Sequence, residues 1–241
     1  MAVKDNKNPV LGILGGLGPM ATVYFYEMIT RHTKAKCDQE HIDIVINSRA
    51  TTPDRTNYIT GKSEDNPLQI MVEDSKRLKE YGVTLLAIPC NTAHYFYDML
   101  TDAIDIPFLN IMEETATYLD CKGVKKAGVL ATDGTVSSMT YHKYLKEHGI
   151  ECIVPSAEYQ KLVTEIIYGD IKVGRRADME KFNSVAQHLF SKGAERIILG
   201  CTELSLIKKN EGLDERFVDS LEVLAKRAIE SCGKEAVGFD L

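Results

Sequence analysis

Short, almost wholly apolar runs alternate along this chain with amphipathic stretches of helical length. The runs fall at 10–15, 42–47, 85–89, 107–110, 127–131, 151–154, 196–200 and 216–219. Between them, apolar residues recur at three- and four-residue spacing over 19–36, 67–81, 93–103, 113–119, 137–148, 158–168, 178–191 and 220–231, the signature of helices that bury one face. A strand whose side chains are apolar on both faces has no side to offer to water, so this order predicts parallel sheets covered by helices above and below.

The pattern also repeats. Val10-Leu11-Gly12-Ile13-Leu14-Gly15-Gly16-Leu17-Gly18-Pro19 has the form of Lys126-Ala127-Gly128-Val129-Leu130-Ala131-Thr132-Asp133-Gly134-Thr135: an apolar strand, a glycine-containing loop, then a helix. Two cysteines, Cys90 and Cys201, are separated by nearly the same offset as these two segments. The architecture this predicts is α/β: two similar Rossmann-like domains with parallel sheets, related by a pseudo-twofold axis. The first takes in residues 1–112 and 219–241, the second residues 113–218. Ligands of open α/β sheets bind beyond the carboxyl ends of the strands, so the active site is expected in the cleft between the two domains.

Composition narrows the function. A chain of 241 residues, 44% hydrophobic and 27% charged, is an ordinary globular protein, and no apolar run is long enough to span a bilayer. A net charge of −6 argues against a nucleic-acid partner, whose phosphates demand a basic face. The start carries no charged and apolar leader pattern, so a reducing cytoplasm is the expected compartment and disulfides are not expected. None of the six cysteines is spaced as C-x-x-C and no His-x-x-x-His pair accompanies them, so no metal site is expected.

Cys90 and Cys201 stand apart from Cys37, Cys121, Cys152 and Cys232. Each of the pair follows a strand-like run and is followed by Thr and a helix-like stretch, in Pro89-Cys90-Asn91-Thr92-Ala93-His94 and Leu199-Gly200-Cys201-Thr202-Glu203-Leu204. A thiol at a helix start faces unpaired backbone N–H groups and the positive end of the dipole, which predicts a lowered pKa and a reactive thiolate. Two thiols entering one cleft from opposite walls suit the inversion of a stereocentre next to a carboxylate, where a base removes a proton from one face and an acid returns one to the other.

These segments, with Gly12-Ile13-Leu14-Gly15-Gly16-Leu17-Gly18-Pro19-Met20-Ala21-Thr22 and Pro53-Asp54-Arg55-Thr56, resemble the cofactor-independent aspartate/glutamate racemases over nearly the whole length, and the glycine-rich opening resembles the aspartate racemase branch. The resemblance implies an amino-acid racemase that interconverts L- and D-aspartate, with glutamate as a further substrate, using Cys90 and Cys201 as the catalytic pair, no cofactor and a homodimeric assembly. Asn91, Thr92 and Thr202, and more weakly Thr132, are then expected to hold the substrate's α-carboxylate through side chains and backbone N–H groups.

A dicarboxylic substrate needs a second anion site, best met by an arginine fork or a lysine ammonium. Arg55 matches the family's side-chain carboxylate ligand, with Arg49 as its rival, and Lys161 resembles the family's partner lysine. His94 could exchange protons with Cys90 from one helical turn away, but a histidine bonded to backbone is the simpler expectation; Glu203 reads as a carboxylate satisfying N–H groups. Gly16-Leu17-Gly18-Pro19-Met20-Ala21 also fits a dinucleotide fingerprint, yet the second strand ends Ile46-Asn47-Ser48 with no acidic residue for the ribose. A non-catalytic, two-domain amino-acid binding protein is the remaining alternative, since facing lobes also clamp ligands.

Overall fold

The structure is a computed structural model that describes residues 9–239. β1 (Val10–Gly15) leads to α1 (Pro19–His32), β2 (Asp43–Ser48), the short α2 (Arg55–Ile59), α3 (Leu68–Glu80), β3 (Leu85–Ala87), a 3-10 turn over Thr92–Phe96, α4 (Tyr97–Ala103), β4 (Phe108–Leu109) and α5 (Ile111–Cys121). The second half runs through β5 (Lys126–Leu130), α6 (Asp133–Ser137), α7 (Thr140–Glu147), β6 (Glu151–Ile153), α8 (Ala157–Thr164), α9 (Met179–Ser191), β7 (Arg196–Leu199), α10 (Ser205–Glu211), β8 (Phe217–Asp219) and α11 (Ser220–Ser231). The strands form two four-stranded sheets in the orders β2-β1-β3-β4 and β6-β5-β7-β8. Every pairing is parallel. The second order reproduces the first, so the repeat read from sequence is a repeat of topology, and the fold is two α/β domains.

The central strands are apolar on both faces because both faces are covered. Leu11 and Ile13 of β1, Leu86 of β3 and Ile197 and Ile198 of β7 are fully buried, whereas β2, at the edge of its sheet, alternates between half-buried and exposed positions. One apolar cluster joins Phe25, Met28 and Ile29 of α1 to residues of α5, α7 and α11, so these helices form a layer shared by the two sheets. A second cluster packs Val163 and Phe182 of α8 and α9 on the outer face of the second sheet. A third packs Met71, Leu78 and Leu100 of α3 and α4 on the outer face of the first. Among the described residues no helix is long and apolar enough to cross a membrane.

All eight apolar runs form strands, but several helices differ from the sequence pattern. The stretch 137–148 is not one helix: Met139 adopts φ 56°, a left-handed conformation that breaks the chain into α6 and α7. The stretch 158–168 is α-helical only to Thr164 and continues as a π-helical segment over Glu165–Asp170 and a 3-10 turn over Ile171–Val173. α2 falls where the pattern predicted a loop, and α10 is the helix expected after Cys201, beginning only at Ser205. α2 had a local signal, since Asp54 accepts a hydrogen bond from Asn57 N at 2.8 Å and caps its start.

Each sheet reverses its strand order between the first and third strands of its repeat, β1/β3 and β5/β7, and that crevice is where an open α/β sheet binds ligands. Gly16 shapes the loop after β1: its φ is +84°, and a Cβ there would collide with the backbone of Arg49, which follows β2.

Candidate active site

Cys90 lies just beyond β3 and Cys201 just beyond β7, equivalent positions in the two repeats. Both are buried and both line one small enclosed cavity of about 10 Å³. The structure brings Asn91, Thr92, Thr132, Thr202 and Arg55 to the same cavity, and adds Tyr168, Lys172 and Glu203. A larger cavity of about 430 Å³ shares Asp54, Arg55, Lys172 and Glu203 with it and opens outward past Met20, Ile171 and Leu206.

Three hydroxyls meet across the lobes. Thr92 Oγ1 lies 2.9 Å from Thr132 Oγ1 and 3.0 Å from Thr135 Oγ1, and the latter two are 3.2 Å apart. Gly134, between them in sequence, lets α6 come this close to α2: a Cβ there would lie 2.9 Å from Thr56 Cα. Asn91 is held from the other lobe through its Oδ1, which accepts from Tyr141 Oη at 2.6 Å, and its Nδ2 donates to Ser220 Oγ at 3.0 Å. That leaves one amide hydrogen of Asn91 uncommitted by these two bonds.

Arg55 is 7% exposed and has no ion pair among the described residues. Its Nη2 donates to Leu17 O at 2.8 Å and its Nη1 to Pro53 O at 3.0 Å, while Nε is buried without a partner. Carbonyls fix the guanidinium but do not neutralise it, and a buried, uncompensated charge with a free donor is a site waiting for an anion. Arg49, the rival, is paired within the protein. Arg49 Nη2 donates to Asp74 Oδ1 at 2.6 Å, with Arg77 on the same carboxylate, so its charge is already matched.

Lys161 lies away from these residues. It is exposed on α8 and lines neither cavity. The preceding residue takes the inward position: Gln160 Nε2 donates to Ala131 O at 3.0 Å and to Asp133 Oδ1 at 2.9 Å, and one residue of helix turns Lys161 about 100° away. The cation at the cavity is Lys172, in the 3-10 turn that follows the π-helical segment. Its Nζ lies 3.7 Å from Glu203 Oε1 and 4.6 Å from the Tyr168 ring centroid. Burial alone would lower the Lys172 pKa, but the Glu203 carboxylate, then Cys201 and Tyr168, outweigh it and raise it. Arg55 lies in the connection after β2 and Lys172 in the connection after β6, so the repeat supplies one cation from each lobe. The chain signal for Lys172 was a lysine between Ile171 and Val173-Gly174, too common a pattern to single out.

The backbone at both cysteines and the electrostatics of Cys201 differ from the expected helix-start thiolate. Neither cysteine opens an α-helix directly: Cys90 precedes a 3-10 turn, and α10 begins at Ser205, past Cys201. Burial, reinforced by Glu203, pushes the Cys201 thiol well above its usual range, with Lys172 pulling the other way. Cys201 Sγ donates to Glu203 Oε2 at 2.9 Å, so Cys201 rests as a thiol whose ionisation the neighbouring carboxylate opposes. Glu203 therefore has a larger part than satisfying N–H groups. Burial also raises the Cys152 thiol to about 12 and the Cys232 thiol to about 11, in keeping with a structural part for both.

His94 is fully buried and binds backbone. Ile111 N donates to Nε2 at 3.2 Å, which assigns the other proton to Nδ1, and Nδ1 donates to Cys90 O at 2.9 Å. Burial lowers its pKa to about 4, against the raising effect of these backbone bonds. The ring is neutral near pH 7 and ties the Cys90 loop to the start of α5.

Fold and site together define a two-lobed α/β enzyme of the amino-acid racemase class. The solved structure of aspartate racemase from Picrophilus torridus matches with a TM-score of 0.81 at 30% identity, over 95% of this chain and 96% of that one. An aspartate racemase homologue from Pyrococcus horikoshii OT3 matches at 0.76 and 26%, over 94% and 99%. Broad specificity amino-acid racemase RacX of Bacillus subtilis (strain 168) is 28% identical over 229 residues, 92% of this chain and 97% of that relative. The chain belongs to the Asp/Glu/hydantoin racemase family, whose description matches residues 14–228.

Proposed function

We propose that this racemase interconverts the enantiomers of an acidic amino acid, aspartate first and glutamate second, by proton transfer between Cys90 and Cys201 without a cofactor. The observation that carries the reading is that one thiol from each lobe lines a single buried cavity beside an arginine with no counter-ion among the described residues. The substrate's α-carboxylate meets the Thr92, Thr132 and Thr202 hydroxyls and the free amide hydrogen of Asn91. Its side-chain carboxylate meets Arg55 and Lys172, which replaces Lys161 in this role.

One cysteine thiolate takes the α-proton, charge spreads onto the α-carboxylate, and the opposite thiol protonates the other face. Donors already aimed at that carboxylate stabilise the transition state without reorganising. Cys201 starts as the proton donor. That turnover leaves Cys201 as the thiolate and Cys90 as the thiol, which is the pair the reverse direction needs, with Cys201 as its base. No net proton is consumed.

A broader substrate range is the second reading, favoured by the adjoining cavity of about 430 Å³ with Met20, Ile171 and Leu206 in its wall. The lobe limits 1–112 plus 219–241 and 113–218, a homodimer, and a reducing cytoplasm in keeping with six free cysteines belong to the same proposal.

The test is proton NMR of L-aspartate and L-glutamate in D₂O without cofactor, with chiral chromatography. Loss of the α-proton signal with appearance of the D-enantiomer is expected, and Cys90→Ala and Cys201→Ala each abolish racemisation. Arg55→Lys, which loses the fork, is expected to raise KM for aspartate at least about tenfold while leaving KM for neutral amino acids unchanged. Full racemisation by either cysteine variant would sink the two-thiol mechanism.

A further inference from the structure

The junction of β8 and α11 sits behind both cysteine loops and is not part of the cavity wall. Asp219 and Ser220 are each fully buried. Ser220 Oγ donates to Leu199 O at 2.8 Å, at the end of the strand that leads to Cys201, and accepts from Asn91 Nδ2 at 3.0 Å, the residue after Cys90. Asp219 Oδ1 accepts from Ser205 Oγ at 2.7 Å, at the start of the helix that follows Cys201, and from Leu221 N at 2.9 Å. Tyr141 completes the chain by donating to Asn91 from α7. One dipeptide thus bonds to the segment after Cys90 and to the segments before and after Cys201.

α11 itself packs in the helical layer shared by the two sheets, against α1 and α5. A bond network anchored there moves with the shared layer and not with either cysteine loop alone. We propose that Asp219 and Ser220 are positioning residues that set the separation of the two thiols, a role that rests on the two-thiol reading above.

Burying an aspartate whose second oxygen, Oδ2, has no partner among the described residues is unfavourable, and a purely apolar junction would pack without it. What the carboxylate provides is a fixed attachment: Oδ1 caps α11 and holds Ser205 at once. The geometry matters because inversion needs both thiols within reach of one carbon, whereas exchange of the α-proton needs only one. A thiolate that takes the proton can trade it for solvent deuterium and return it to the same face. Inversion requires the opposite thiol to deliver first. Loosening the tie between the loops therefore favours return over inversion.

The experiment uses Ser220→Ala, Asp219→Ala and Asp219→Asn in the full chain, each incubated with L-aspartate in D₂O. Deuterium is measured separately in the remaining L- and the newly formed D-enantiomer. The two alanine variants are expected to raise the ratio of deuterium in L to deuterium in D about tenfold, with kcat for racemisation falling and KM little changed, because a displacement near 1 Å disturbs reacting geometry strongly. Asp219→Asn keeps an acceptor for Ser205 and Leu221 and is expected to restore a near wild-type ratio. An unchanged ratio, with exchange and racemisation falling together, would overturn the proposal.

A second readout does not depend on the substrate. Iodoacetamide alkylation followed by peptide mass spectrometry is expected to be several-fold faster at Cys90 and Cys201 in the alanine variants, through local opening, with Cys152 unchanged. Equal rates at all three cysteines in variant and wild type refute the tie even if the wild-type chain proves inactive on acidic amino acids, so that failure of the function and failure of the tie give different results.

Discussion

Gly134→Ala is the perturbation whose consequence is best worked from distances. Gly134 lies in α6 between Thr132 and Thr135, where the second lobe touches the first. A Cβ at this position would stand 2.9 Å from Thr56 Cα, 3.0 Å from Thr56 Oγ1 and 3.2 Å from Thr92 Cγ2. The nearest of these is backbone and cannot rotate aside. Restoring ordinary van der Waals separation of about 3.5–4.0 Å requires α6 and α2 to part by about 0.5–1 Å. Overpacking of this kind costs about 1–3 kcal/mol, and replacing a helical glycine by alanine returns about 1 kcal/mol, leaving a net loss of about 0–2 kcal/mol. For a chain of this size each kcal/mol lowers Tm by about 2–4 °C, so the fold survives.

Activity is expected to suffer far more. Thr56 adjoins Arg55, Thr92 is two residues from Cys90, and the three threonine hydroxyls are held together by this contact. A displacement near 1 Å reduces turnover by as much as about 100-fold. The assay is kcat/KM for racemisation by chiral chromatography beside a thermal melt of the same sample. A variant with kcat/KM within about twofold of wild type, when the geometry calls for the larger loss, would refute the reasoning and mean that productive lobes sit further apart than described here.

Two further outcomes follow from the electrostatics. Glu203→Gln removes a charge that raises the Cys201 thiol, so the pH midpoint for alkylation of Cys201, followed by mass spectrometry, is expected to move down; an unmoved midpoint would leave Glu203 no part in setting that thiol. His148, on the segment after α7, has its pKa raised chiefly by the hydrogen bond to Glu113 at 3.0 Å. Its contribution to stability is then fully present below the unfolded value of about 6.5 and is lost as pH rises through the higher folded value. His148→Gln is expected to lower Tm relative to wild type at about pH 5.5, with the gap closing by about pH 8; a gap independent of pH would mean that the ion pair is not its source.

The eight strands, the twofold repeat and the pair of cysteines were legible in the sequence because each is written in local pattern. An apolar run bounded by glycine or proline is buried on both faces wherever it is placed, and the strand-Cys-(Asn)-Thr wording recurs at matching positions. Arg55 entered through the resemblance of Pro53-Asp54-Arg55-Thr56 to the family, read as a loop, and the short helix that Asp54 caps there went unread. The presence of Lys172 at the cavity was not legible. It turns on a π-helical segment and a 3-10 turn, whose backbone is set by packing against the second sheet rather than by propensity, and on Gln160 taking the inward position on α8. Nor could the chain forecast the left-handed Met139 that divides α6 from α7.

The raised Cys201 thiol lay out of reach for the same reason. A helix start is a short-range feature that predicts a lowered pKa, while the burial that chiefly reverses it exists only once the chain has folded around Cys201, and Glu203, two residues on, adds to it. Local sequence determined the strands, the repeat and the reactive residue types, because turns and burial faces depend on neighbours a few residues away. Tertiary structure alone decided which charges meet the thiols and what ties the thiols together, because Asn91–Ser220, Thr92–Thr132 and Ser205–Asp219 join groups that become neighbours only when the two sheets share one layer of helices.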